Sequence, residues 1–183
     1  MARTREATID ALYRVDGKAE IVRGEIVLMS STGVLPSFAA GEIFVRLRDC
    51  ARVTRAGHAF TDGAAFVVNL PNRWSFCPDV AFAVVREWTG KFYDGAPLFA
   101  VEVRSDGDYG LAAERAMAAK RADYFAAGTL VVWDVDVLEE QLIRVYRAAD
   151  PTTPTVYRRG NIAEAEPALP GWSMQVDDLF PSS

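Results

Sequence analysis

Apolar and polar residues follow two different periods along this chain, and the changes between them delimit its secondary-structure elements. Short, mostly apolar runs bounded by glycine, proline or charged residues predict strands. These runs are 19–22, 25–29, 58–61, 64–70, 80–85, 98–103, 130–135 and 141–147. Only Arg23-Gly24 separates the first two, which predicts a tight β-hairpin because glycine accepts the positive φ of a two-residue turn.

Other segments have apolar residues three and four positions apart, the spacing of an amphipathic helix. They are 5–15, 38–53 and 111–127. The last is rich in alanine, contains no glycine or proline, and is followed by Gly128, a residue favoured just past a helix end. The segment 30–37 and the tail after Arg147 are predicted to be irregular, with a short helix or turn near 177–180.

Strands interleaved with helices predict an α/β fold. The strand at 98–103 is apolar apart from Glu102, which is typical of a strand buried on both faces. The strand at 141–147 is expected to pair antiparallel with the one at 130–135. No repeat, low-complexity tract or linker divides the 183 residues, so we predict one domain over residues 1–183.

Charge and composition narrow the possible functions. The chain has 25 acidic and 20 basic residues, a net charge of −5, whereas proteins that depend on non-specific DNA contacts are usually basic. No apolar run reaches the roughly 20 residues of a membrane span, and the N-terminus has no apolar signal region. We therefore expect a cytoplasmic protein with no membrane partner. Cys50 and Cys77 form no motif and are interpreted as reduced thiols.

Two carboxylates are the first candidates for chemistry. Glu102 lies inside an apolar strand, where a charged group costs several kcal/mol unless it is paired or bound to a cation. A sheet edge or a buried arginine would also satisfy it. Asp79 opens the preceding strand after Pro78. On adjacent strands the two acids would suit a hard divalent cation, with the backbone carbonyl of Val103 as a third ligand.

Lys120 is a third candidate because of its place on the helix at 111–127. It shares one side of that helix with Met117 and with Tyr124, one turn further on. A lysine on a packed side either extends to solvent or meets an anion. We expect it to point into the cleft that holds Glu102, and we expect its removal to leave folding nearly intact.

Several motifs occur in a recognisable order. They are Pro78-Asp79-Val80, Phe99-Ala100-Val101-Glu102-Val103-Arg104-Ser105, Lys120, Tyr124, Gly128 and Trp133-Asp134-Val135-Asp136. This order and spacing resemble the Uma-two family of putative restriction endonucleases, which read Pro-Asp, Glu-Val-x-Ser after an apolar run, Lys-x-x-x-Tyr, Gly and Tyr-Trp-x-x-Asp. Glu20, Gly24 and Glu25 extend the resemblance to residues 13–147.

The resemblance implies a PD-(D/E)XK fold, a restriction-endonuclease-like mixed β-sheet flanked by helices, with the N-terminal β-hairpin as an extension. It implies an endonuclease that hydrolyses DNA phosphodiester bonds with Mg²⁺ or Mn²⁺. Asp79, Glu102 and Val103 would hold the metal. Asp79, Glu102, Lys120 and Glu20 would form the catalytic set, with Lys120 replacing the lysine that usually lies two residues after the glutamate.

The resemblance also suggests which residues contact substrate. These are Tyr124, Arg104 and Glu25, although Glu25 shares with Glu20 the role of an extra acidic residue. The chain departs from the family at Ala40, where many members have histidine, and at Val132, where they have tyrosine. Arg104 stands where an apolar residue is usual, and its guanidinium cannot act as a base because it stays protonated.

Other functions remain open on sequence alone. A nuclease fold that no longer cleaves would serve as a nucleic-acid-binding or assembly module, which the acidic net charge favours. A purely structural domain is a third alternative, but it would not explain why Glu102 lies in an apolar strand. For an active enzyme we expect a homodimer, because two cuts in a duplex need two sites. The aromatic residues at 74–93 are expected to supply an apolar patch.

Overall fold

The computed structural model describes residues 7–181, which form a mixed α/β structure. The helices are α1 (Ile9–Leu12), α2 (Val34–Thr54) and α3 (Leu111–Ala127), with a 3-10 helix at Val176–Leu179. The strands are β1 (Ala19–Val22), β2 (Glu25–Leu28), β3 (His58–Thr61), β4 (Phe66–Val67), β5 (Ser75–Phe76), β6 (Val80–Ala83), β7 (Tyr93–Asp94), β8 (Phe99–Val103), β9 (Val131–Asp136), β10 (Leu142–Arg147), β11 (Asp150–Arg158), β12 (Ile162–Glu164) and β13 (Ser173–Gln175). None of the helices in residues 7–181 has the length and apolarity needed to cross a membrane.

A six-stranded sheet in the order β11-β10-β9-β8-β6-β3 forms the centre. Among the described strands of this sheet, β8 and β9 are parallel neighbours, and the other pairs are antiparallel. A parallel pair needs a long crossover, and α3 supplies it between these two strands. Both strands are almost wholly buried, as their apolar sequences predict. The expected mixed sheet flanked by helices is therefore confirmed, including the antiparallel pairing of β9 with β10.

Different elements pack against the two faces of this sheet. Helix α2 and the C-terminal segment pack against one face, and α3 with the small sheet β5-β4-β7 packs against the other. Side chains alternate along a strand, so Val101 and Val103 join the α2 side while Ala100 joins the α3 side. The same alternation directs Glu102 towards α3. The buried carboxylate thus faces the helix that carries Lys120.

The N-terminal half differs from the sequence expectation mainly at element ends. The β-hairpin is present, and its turn residues Arg23 and Gly24 have φ of 52° and 75°, as a two-residue turn requires. Helix α2 begins at Val34 rather than at residue 38. Pro36 is tolerated in the first turn because the N–H that proline lacks would have no helical partner there. The predicted helix at 5–15 is limited to Ile9–Leu12, and residues 5 and 6 lie outside the described residues.

Two expectations about strands were wrong. The tail after Arg147 is not irregular, since β11 pairs antiparallel with β10 over most of its nine residues. Its prolines, Pro151 and Pro154, are tolerated because β11 is the edge strand and half of its N–H groups need no partner. The predicted strand at 64–70 is reduced to the two residues Phe66–Val67.

The packing of α2 on the sheet gives a direct test of the core. Leu47 is fully buried in it, whereas Val53 on the same helix is 84% exposed. We expect Leu47→Ala to lower the free energy of unfolding by about 3 kcal/mol, because it removes buried methyl groups and leaves a cavity. Val53→Ala is the matched control and should change it by less than about 0.5 kcal/mol. Urea unfolding measures both, and equal effects would contradict this packing.

Candidate active site

Asp79 and Glu102 lie side by side on neighbouring strands. Val80 of β6 pairs with Val101 of β8, so the next step of this antiparallel register sets Asp79 opposite Glu102. Directly opposed residues point to the same face, with Cβ atoms roughly 5 Å apart. The Asp79 amide donates to the Val101 carbonyl at 3.1 Å, and Asp79 Oδ2 accepts the Val103 N–H at 2.7 Å. Both acids therefore sit where they could bind one cation.

Helix α3 supplies the partners of Glu102. Lys120 Nζ lies 2.8 Å from both Glu102 carboxylate oxygens, and the Tyr124 hydroxyl donates to Glu102 Oε1 at 2.7 Å. Lys120 and Tyr124 are one turn apart, so one side of the helix presents both groups to the strand. Tyr124 is fully buried and its ring stacks on Phe76 at 4.0 Å. This packing holds the hydroxyl against the carboxylate.

The N-terminal hairpin adds Glu20 from β1. Its Oε1 lies 2.9 Å from Lys120 Nζ and accepts the Cys77 N–H at 2.9 Å. Its Oε2 accepts from the guanidinium of Arg73, and Arg73 Nε donates to Asp123 of α3 at 2.8 Å. The hairpin, the loop before β5 and α3 are thus tied together by buried or half-buried ion pairs.

A second lysine, not predicted from the sequence, completes the cluster. Lys18 Nζ lies 2.7 Å from Asp79 Oδ1 and 2.6 Å from Asp62 Oδ1. It immediately precedes β1 and is two residues from Glu20, a spacing that directs strand side chains to the same face. That spacing was the signal for Lys18. The loop residues Asp62 and Arg73 follow no period and gave no such signal.

Burial and charge act in opposite directions on the ionisable groups of this cluster. Burial raises the pKa of Glu102 above its ordinary value, and the nearby Asp79 and Glu20 charges add to the effect, so Lys120 only partly offsets it. Burial would also raise the pKa of Glu20, but Lys120 and Arg73 together hold it below its usual range. Burial therefore outweighs the Lys120 charge at Glu102, whereas Lys120 and Arg73 together outweigh burial at Glu20.

The two donors to Glu102 keep their protons. Burial alone would lower the pKa of Lys120, yet the Glu102 and Glu20 carboxylates outweigh it and raise that pKa above its ordinary value. Burial, followed by the Glu102 charge, raises the pKa of the Tyr124 hydroxyl. The ammonium therefore stays charged and the phenol stays a hydrogen-bond donor at neutral pH.

Comparison with known proteins identifies the family of this chain. A family described as putative restriction endonuclease, Uma2 (Uma-two), matches residues 7–177. The chain belongs to the Uma2 family. No curated protein matches this Uma2 chain.

A solved structure has a similar fold. It is the crystal structure of a putative nuclease belonging to DUF820 from Anabaena variabilis, which aligns with this Uma2 protein at a TM-score of 0.75. The alignment covers 95% of this chain and 97% of that one at 17% sequence identity. At that identity the likeness shows a shared fold, which agrees with the predicted restriction-endonuclease-like architecture.

Arg104 has a different role in this Uma2 protein from the predicted substrate contact. Its Nε and one Nη bond the two Asp134 carboxylate oxygens at 2.7 and 2.8 Å, and the guanidinium also pairs with Glu114. Only 3% of Arg104 is exposed. The paired strands β8 and β9 bring it beside Asp134, so its donors are used to fix the sheet to the start of α3.

The other two predicted substrate contacts also differ from expectation. Glu25 is exposed on β2 and is not among the residues that line the cleft, because it lies at the turn end of the hairpin, opposite Val22. Tyr124 reaches the cleft, but its hydroxyl is bonded to Glu102 instead of being free for a phosphate. Tyr124 therefore orients a carboxylate.

These groups lie in a cleft of about 1040 Å³ between the hairpin, the sheet and α3. The charged side chains on its inner surface are those of the cluster: Lys18, Glu20, Asp62, Arg73, Asp79, Glu102 and Lys120, together with Arg104, Asp106, Asp108, Arg121 and Asp134. The segments 29–36 and 104–108 contribute much of the remaining lining. The volume is at the upper end of the roughly 300–1,000 Å³ of small-molecule pockets, so the cleft has room for part of a polymer.

The donor set of the cleft fits magnesium better than softer metals. Within residues 7–181, no three Asp, Glu, His or Cys side chains are gathered as a ready-made metal site. Mg²⁺ needs fewer protein ligands, because it keeps several waters and is usually bound through one or two carboxylates. Asp79 and Glu102 match that requirement, and Val103 lines the same cleft. Mn²⁺ accepts the same oxygen ligands.

The contacts of Lys120 revise the expectation that its removal would leave folding nearly intact. Lys120→Met would leave Glu102 and Glu20 as close, buried carboxylates without their shared cation. Breaking such a pair is strongly destabilising, so we expect the free energy of unfolding in EDTA to fall by about 3 kcal/mol. The matched control is Lys91→Met, at an exposed position outside the cleft. Wild-type stability in Lys120→Met would contradict this geometry.

Proposed function

We propose that this protein is an endonuclease that hydrolyses DNA phosphodiester bonds with Mg²⁺ or Mn²⁺. The observation that carries the proposal is the opposed pair Asp79 and Glu102 at the base of a large cleft, with Lys120 bonded to one of them. Membership of a family described as putative restriction endonuclease supports the same reaction class. The free thiols Cys50 and Cys77 support a cytoplasmic setting, because that compartment keeps cysteines reduced.

In this proposal Asp79 and Glu102 hold the cation, and the Val103 carbonyl contributes a third oxygen. A divalent cation in that position would supply Lewis-acid stabilisation of the negative charge on the phosphate. The protein fixes one ligand through the Val103 N–H bond to Asp79 and the other through the Tyr124 hydroxyl. Both carboxylates are thus oriented before substrate binds, which is what a preorganised site requires.

Lys120 is the proposed contact for the reacting groups. Its ammonium already faces Glu102, so it is positioned to hold the attacking water or to offset charge on a phosphate oxygen. It stays protonated and therefore acts as a donor, not as a base. Glu20 has both oxygens engaged by Lys120, Cys77 and Arg73, so its proposed role is to position Lys120.

One observation favours the alternative of an inactive nucleic-acid-binding or assembly module. Each proposed metal ligand already has a cation partner within the protein, because Lys18 bonds Asp79 and Lys120 bonds Glu102. A protein that had lost metal binding would be stabilised by such pairing. The net charge of −5 also argues against tight non-specific DNA binding.

Homodimerisation belongs to the proposed function as well, but the aromatic residues that suggested an apolar patch do not form one. Phe76 is fully buried, and Phe92 stacks on Tyr13 at 3.9 Å. Trp88 is the strongly exposed residue of this aromatic group, with 68% of its surface accessible to solvent. We expect light scattering to give twice the 20.1 kDa chain mass across micromolar concentrations. A mass of one chain throughout would contradict the dimer.

The proposed activity is tested on supercoiled plasmid DNA. With Mg²⁺ or Mn²⁺ the wild-type protein should nick or linearise the plasmid, and EDTA should stop the reaction. Asp79→Asn and Glu102→Gln should lose both cleavage and Mn²⁺ binding, because each removes a ligand charge. Glu25→Gln is the matched control, an exposed acid at the turn end of the hairpin and outside the cleft lining, and should cleave like wild type.

The same experiment separates the two functions. A wild-type protein that binds Mn²⁺ and DNA but never cleaves would refute the nuclease and support the inactive module. Cleavage that persists in both Asp79→Asn and Glu102→Gln would refute the assignment of this site.

A further inference from the structure

The Lys18 ammonium contacts the Asp79 carboxylate oxygen that a metal ion would need. Asp79 Oδ2 is fixed by the Val103 N–H at 2.7 Å, which leaves Oδ1 as the oxygen without a backbone partner. Lys18 Nζ lies 2.7 Å from that Oδ1. The Lys18 side chain is only 15% exposed, so the contact is largely shielded from solvent.

An ammonium and a divalent cation would compete for this position. A metal ion binds carboxylate oxygen at roughly 2.0–2.6 Å, so on the same Asp79 oxygen it would come within roughly 4 Å of Lys18 Nζ. Like charges at that distance repel strongly in a partly buried site. A metal ion bound to this oxygen would therefore displace Lys18 from Asp79.

Asp62 is a second carboxylate partner for the Lys18 ammonium. Lys18 Nζ already lies 2.6 Å from Asp62 Oδ1, and the Asp62 side chain is 57% exposed on the loop after β3. The lysine side chain has four flexible carbons, so its ammonium can move between two neighbouring carboxylates while the backbone stays in place. Its ammonium can release Asp79 and stay bonded to Asp62.

Lys120 lacks this freedom. Its ammonium bridges Glu102 and Glu20, and its departure would leave both carboxylates unpaired. The two lysines of the cleft are therefore not equivalent, and Lys18 is the one with an exposed alternative partner.

We propose that Lys18 is an internal competitor for the divalent cation. Its ammonium neutralises Asp79 in the metal-free protein and transfers to Asp62 when the metal binds. The proposal rests on the metal site of the proposed function and adds a control on its occupancy. Metal affinity then depends on how much more favourably the metal ion binds Asp79 than the Lys18 ammonium does, and not on the carboxylates alone.

The first experiment measures Mn²⁺ affinity of the full chain by isothermal titration calorimetry. Lys18→Met removes the competing charge while keeping a similar length of side chain, so we expect Mn²⁺ to bind at least about tenfold more tightly than to wild type. Lys91→Met, which removes an exposed lysine outside the cleft, should bind like wild type. The rise in melting temperature on adding Mn²⁺ should be larger in Lys18→Met, because tighter binding stabilises the fold more.

Asp62→Asn supplies a second and opposite test. Lys18 loses its alternative partner, so Mn²⁺ should bind more weakly than to wild type. In the Lys18→Met background the same Asp62→Asn change should have a much smaller effect, because no ammonium remains to be transferred. That non-additivity distinguishes transfer of Lys18 from a general loss of negative charge.

The outcomes separate this proposal from the metal site itself. Equal or weaker Mn²⁺ binding by a folded Lys18→Met protein would overturn the role of Lys18 and leave the metal site intact. Absence of Mn²⁺ binding in both wild type and Lys18→Met would refute the metal site and this inference together. If Lys18→Met does not fold, unchanged affinity in Asp62→Asn is the overturning result.

Discussion

A carboxylate inside an apolar strand is the constraint on which the rest of this structure depends. Glu102 interrupts a strand whose other residues are fully or almost fully buried. Its charge can be kept there only by partners that come from another element, because its strand neighbours are apolar. Lys120 and Tyr124 meet it from α3, so the position of that helix over the sheet is fixed by charge as well as by packing.

The same requirement extends to the N-terminal hairpin. Lys120 contacts Glu20 as well as Glu102, and Arg73 links Glu20 to Asp123 on α3. Apolar contacts accompany these pairs, since Ile21 is fully buried with Leu12 and Ala19. The hairpin is therefore not an appendage of the nuclease-like fold. It forms one wall of the cleft and supplies Glu20 as a second carboxylate partner of Lys120.

The sequence predicted those parts of the site that depend on local periodicity. The apolar run around Glu102 and the alanine-rich helix of Lys120 have clear periods, so their burial and facing sides could be derived residue by residue. Lys18 carried a weaker signal in its two-residue spacing from Glu20. Arg104 was misread because its partner Asp134 becomes a neighbour only through the pairing of β8 with β9. Strand β11 was missed because prolines argue against a strand unless it is known to lie at an edge.

The charge balance of the cluster links its stability to its proposed chemistry. Five carboxylates, those of Glu20, Asp62, Asp79, Glu102 and Asp123, are joined to three cations, those of Lys18, Arg73 and Lys120. Two negative charges are left over within this set, and burial together with the Asp79 and Glu20 charges raises the pKa of Glu102. One divalent cation between Asp79 and Glu102 would balance the whole set. The fold therefore tolerates an energetic cost at the position where binding of a cation would remove it.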